Sequence, residues 1–264
     1  TDAVKHGKSR YAHDVMLMLG RPADALRYLE LSRDSANDLN IPVIMLRDAT
    51  MGLIDQSHGV DAAKRLAQID GAAEPADSTA KAIQRVVIRA MEPWRISRGD
   101  TSQTRRSIQR LRSLTRNISP DEAVNAEIEI AFVEMVAAEN ARSASRRPVE
   151  QLDSLLMLQD FGAATASRLA QQTVFGARAW ERLGDMPRAE SMIARYPVWN
   201  GENLPYLGLQ LREQGRIAAL AGDRKRAIRA YRHYLSMNAA AEPSSVTQID
   251  SVRRELAKLE GSAR

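Results

Sequence analysis

Three stretches of this chain share one layout, and that repetition constrains the fold more than any other feature. They are YAHDVMLMLGRPADALRYLELS (residues 11–32), VFGARAWERLGDMPRAESMIARY (174–196) and LREQGRIAALAGDRKRAIRAYRHYL (211–235). In each, an apolar-periodic segment stops at a glycine: Gly20, Gly184 or Gly222. Five residues later an alanine (Ala25, Ala189, Ala227) sits inside a second apolar-periodic segment. A glycine after a helical stripe is a stop signal, because it accepts the left-handed backbone of a helix C-terminus. Self-similarity on this scale marks stacked helical hairpins.

The rest of the chain fits the same period. Turns are predicted near positions 20, 59, 99, 145, 184 and 222, at intervals of 39, 40, 46, 39 and 38 residues. The hairpins then cover 2–37, 41–70, 76–117, 120–159, 163–196 and 204–238, with a partnerless capping helix at 245–260. Pro22, Pro42, Pro75, Pro120, Pro148, Pro187, Pro205 and Pro243 fall at or beside predicted helix starts. Proline is tolerated there because first-turn amides have no acceptor within the helix. Pro93 interrupts its helix, and Pro197 follows a helix end. No segment alternates apolar and polar residues with period two, so no sheet is expected.

The last full repeat resembles the tetratricopeptide repeat. Gly215 and Ala227 stand where that motif brings small residues together at a helix crossing, with Ala218 and Tyr231 at its two aromatic positions. Ala177, Trp180, Ala189 and Ile193 fit the same four places one repeat earlier; His13, Met16, Ala25 and Leu29 fit them poorly. The resemblance implies an all-α, right-handed α-solenoid of about six hairpins forming one domain. In such an array each hairpin contacts its chain neighbours, so the first and last hairpins should not touch. It also places Gly215 against Ala227. The segment from Leu204 onward is similar to the C-terminal repeats of bacterial signalling proteins, where such an array follows a serine/threonine kinase or a winged-helix activator domain. That similarity implies a regulatory, partner-binding role.

In the resembled motif, first helices line a concave groove. The register puts Gln171, Val174, Arg178, Glu181 and Arg182, then Leu209, Arg212, Arg216, Ala219 and Leu220, along it. Gln171, Arg178, Arg182, Arg212 and Arg216 are the candidate partner-binding residues. Guanidinium forks clamp carboxylates, so the expected partner is a protein or acidic peptide, opposed within the groove by Glu181 alone.

Two basic segments keep a nucleic-acid alternative open. Arg105, Arg106, Arg110, Arg112 and Arg116 run without an acidic neighbour, but helix 120–141 beside them carries Asp121, Glu122, Glu127, Glu129, Glu134 and Glu139. Mutual neutralisation is the simpler expectation. The C-terminal cluster of Arg212, Arg216, Arg224, Lys225, Arg226, Arg229 and Arg232 reads as less neutralised. With 5% aromatics there is little to stack bases on. A small-molecule-sensing tail of a kinase or transcription regulator is the other alternative.

Catalysis is not expected. The chain has no cysteine, no phosphate-binding glycine loop, no nucleophile-elbow motif and no zinc-protease motif. His6, His13, His58 and His233 lack the short spacing of a closed metal site, so neither metal nor cofactor is expected. No apolar run is long enough to span a bilayer. A cytoplasmic location is the expectation, or an extracytoplasmic one if an upstream membrane segment has been removed. Trp180 falls at a repeat-core position and is expected to be buried; Trp199 is expected to plug a loop.

Overall fold

The computed structural model describes residues 11–33, 102–116, 120–140, 145–158, 166–195 and 204–261. Among these residues all regular structure is helical, with no strand. The elements are α1 (residues 11–18), α2 (Pro22–Arg33), α3 (Ser102–Leu114), α4 (Pro120–Asn140), α5 (Arg147–Leu158), α6 (Ala166–Arg182), α7 (Met186–Ala194), a 3-10 turn (Leu204–Tyr206), α8 (Leu207–Leu220), α9 (Arg224–Met237) and α10 (Pro243–Gly261). The hairpins expected at 41–70 and in the first half of 76–117, with Pro93, and the loop carrying Trp199, lie outside the described residues.

The three glycine turns are built alike. Gly20, Gly184 and Gly222 have φ of 70°, 77° and 82°. In each, the glycine N–H donates to a carbonyl three residues back (Leu17, Glu181, Ala219). The next residue donates five back, to Met16, Trp180 and Ala218. This double closure satisfies the last carbonyls of the first helix. In two turns the following Asp caps the second helix: Asp185 accepts from the Arg188 amide (3.3 Å) and Asp223 from the Arg226 amide (3.0 Å).

In the first hairpin Arg21 stands where those two have Asp, and the cap comes from far along the chain. The Glu242 carboxylate accepts from the amides of Ala23 (2.9 Å) and Asp24 (3.0 Å) at the start of α2. The Glu242 amide and the Ser245 hydroxyl both donate to the Gly20 carbonyl, each at 3.0 Å. Gly20 must be glycine here for a second reason, since a Cβ would strike Asn238 and Ala241. The expectation that the first and last hairpins stay apart therefore fails. Residues 11–33 dock on the α9–α10 connection, and α10 is not partnerless.

Elsewhere each helix packs on the next in the chain, and α4 also touches α6, as α6 touches α8. One core runs from Leu111 on α3 to Ile217 on α8 and takes in Leu17 and Ala25. Phe132 and Phe175 meet edge to face, their centroids 5.5 Å apart. A second core joins Leu207 and Leu211 to Tyr231, Tyr234, Ile249 and Val252. Trp180 is fully buried, as its register position implies, with the guanidiniums of Arg188 (4.5 Å from the ring centroid) and Arg146 (5.3 Å) over its ring. The close approach at Gly215 is to the Tyr231 ring, which fills the space a Cβ would take. Ala227 is buried, but the small residue at 215 answers to Tyr231.

Arginine–carboxylate pairs cross the joints between hairpins. On the second helices Arg188 reaches Glu150 (3.4 Å), Arg226 reaches Glu190 (3.4 Å), and Arg195 pairs with Asp153. Arg146, just before α5, holds Asp185 at 2.5 Å. None of the described helices is long and apolar enough to cross a membrane.

Candidate functional site

Seven of the ten projected groove residues converge. Arg178, Glu181, Arg182, Arg212, Arg216, Ala219 and Leu220 line one cleft of about 910 Å³, bounded by α6, α8, α9 and α10. Tyr231, Gln248, Val252, Glu255 and Leu259 complete its wall. Gln171 lies on α6, but its side chain is outside those described. Val174 and Leu209 are buried in the core and do not face the cleft, which corrects their expected place.

The cleft is far less basic than the register suggests. Glu213, unassigned in the groove register, also lines it, with a side chain only 3% exposed. Arg178 donates to it through Nε (3.2 Å) and Nη2 (2.9 Å). Arg216 donates through Nε (3.0 Å), and Arg212 stands 3.7 Å away. Burial alone would raise the Glu213 pKa, because it penalises the charged form. The Arg178 hydrogen bonds and the charges of Arg178, Arg212 and Arg216 outweigh that and hold it at about 2. The expectation that Glu181 alone opposes the arginines is thus corrected: four guanidiniums face Glu181, Glu213 and Glu255.

Arg216 carries a second carboxylate. Its Nη1 and Nη2 donate to the two oxygens of Glu181 at 2.7 and 2.6 Å. The Glu181 bonds, then the charge of Glu213, raise the Arg216 pKa against the desolvation that lowers it. Tyr231 at the cleft floor is pushed up to about 12, by burial first and by Glu255 and Glu213 next. The apolar share of the wall comes from Ala219, Leu220, Val252 and Leu259, with Leu220 58% exposed.

A sequence signal for Glu213 exists. It lies four residues after Leu209 and four before Ile217, both buried, so it occupies a core-stripe position of α8. An acidic residue there demands cationic partners.

Arg226 and Arg232 of the C-terminal cluster are paired with carboxylates, those of Glu190 and Glu260 (2.7 Å), and Arg224 with a backbone carbonyl, that of Leu259 (2.5 Å). On α3, Arg112 pairs with Glu134 of the acidic helix at 2.6 Å, in line with mutual neutralisation. Arg105, Arg106, Arg110 and Arg116 are exposed. His13 is buried with Nδ1 2.9 Å from Asp14, and among the described residues no cluster of three metal-ligating side chains occurs.

Among the described residues these features define a helical protein with an arginine- and carboxylate-lined cleft. No known family model matches the chain, and no curated protein matches it.

Proposed function

We propose that this chain is a non-catalytic interaction module, a solenoid of tetratricopeptide-like hairpins over residues 102–261, whose cleft receives an acidic and partly apolar segment of a partner protein. The observation that carries this reading is the cleft itself. It combines four guanidiniums, three carboxylates and the apolar group Ala219, Leu220, Val252 and Leu259. A residual positive charge selects an acidic partner, and the apolar wall supplies contact area that charges alone do not. The side-by-side order α4–α6–α8 of the first helices supports the solenoid over this stretch. The resemblance of the segment from Leu204 onward to the tails of bacterial kinases and transcription activators supports a regulatory setting.

The test is fluorescence anisotropy with a labelled peptide of alternating Glu and Leu. Saturable binding that weakens in Arg182→Ala, an exposed position, with an unchanged melting temperature, is the expected result. Equal binding of a Lys–Leu peptide would defeat the proposal.

A further inference from the structure

We propose that Glu181 is an internal stand-in for the partner's carboxylate, occupying the Arg216 fork until a ligand carboxylate displaces it. The inference rests on reading the cleft as the partner site, and it adds how that site is kept selective. Arg216 holds two carboxylates that differ in every respect relevant to exchange. Glu213 is 3% exposed and is also gripped by both arms of Arg178, so it is a fixed part of the joint between α6 and α8. Glu181 is 24% exposed, Arg216 is 36% exposed, and both line the open cleft. Among the described residues Arg216 is the one cation that Glu181 pairs with.

Displacing Glu181 therefore breaks one two-bond contact and returns a partly exposed carboxylate to water, which costs little. Displacing Glu213 would strand a buried charge, which costs much. The Glu181 contact also defines what can replace it. Two parallel bonds at 2.7 and 2.6 Å fit a planar carboxylate. Ala219 and Leu220 follow Arg216 by three and four residues, so they lie one turn along the same helix face. Val252 and Leu259 line the same cleft from α10. The replacing group is thus an acidic side chain with an apolar neighbour in the same segment. An internal competitor of this kind rejects small free anions, which displace Glu181 without gaining the apolar contact.

The experiment measures binding of the alternating Glu–Leu peptide at constant ionic strength to wild type, Glu181→Gln, Glu181→Asp and Glu255→Gln. Glu255 lines the same cleft and pairs with Lys258 (2.8 Å), so its replacement removes the same charge without freeing Arg216. Glu181→Gln is expected to bind about fivefold tighter than wild type, the worth of a partly exposed ion pair. Glu181→Asp keeps the charge but shortens the reach, and is expected to tighten binding in the same direction. Glu255→Gln is expected to gain less than twofold. Equal gains in Glu181→Gln and Glu255→Gln, or no gain in either Glu181 variant, overturn the inference while leaving the cleft as a partner site. Absence of binding in all four proteins overturns the partner-site reading and this inference together.

Discussion

Acid should weaken this fold through Glu213, and the size of the effect follows from its surroundings. Its carboxyl sits at about 2 in the folded chain against 4.5 as an ordinary glutamate. Above pH 4.5 the residue is ionised in both states, and the Arg178–Glu213–Arg216 contacts contribute in full. As pH falls from 4.5 toward 2, the unfolded chain takes up the proton first, so stability is lost through that window. Each tenfold difference in proton affinity between the two states is worth ~1.4 kcal/mol, which puts about 3 kcal/mol at stake. Glu213→Gln keeps the volume but removes both the charge and the linkage. At pH 7 it should destabilise by ~3 kcal/mol or more, since three guanidiniums then surround a neutral group. Urea unfolding at pH 7, 4.5 and 2.5 gives the answer as a difference between variant and wild type. The gap should be widest at pH 7 and 4.5, and mostly closed by pH 2.5. A gap that is constant with pH would refute the argument, because Glu213 would then act through shape and packing and not through its charge.

Three further outcomes follow from particular contacts. Arg216→Ala should cost ~1–3 kcal/mol in a urea titration, because it leaves Glu213 short of a partner and Glu181 without its described one, whereas exposed Arg182→Ala should cost under ~0.5 kcal/mol. Gly215→Ala should destabilise by about 1 kcal/mol although Ala favours helix, since the added Cβ falls on the buried Tyr231 ring, and pairing it with Tyr231→Leu should recover part of the loss. Glu242→Ala should cost about 1 kcal/mol and speed hydrogen exchange at the amides of Ala23 and Asp24, while exchange at Arg188 and Arg226, capped by their own Asp residues, stays unchanged.

What the sequence determined by itself is local. The turns at Gly20, Gly184 and Gly222, the Asp caps at 185 and 223, and helix starts at or beside Pro22, Pro120, Pro148, Pro187 and Pro243 depend on groups within about five residues of one another. Such contacts form wherever a helix ends or begins, so composition and spacing suffice to read them. The convergence of Arg178, Arg182, Arg212 and Arg216 was legible for a related reason, since a constant repeat length carries one helix register onto the next. Tertiary structure decided what those arginines do. Whether a guanidinium is available depends on carboxylates about 35 residues away, as in Arg178–Glu213 and Glu181–Arg216, and on how deeply each is buried. It also decided that Gly215 yields space to Tyr231, and that Glu242 caps a helix 218 residues away in the chain. Arg21, where the other two turns carry Asp, leaves the α2 amides without a local acceptor; only packing of the first described hairpin against the last supplies one.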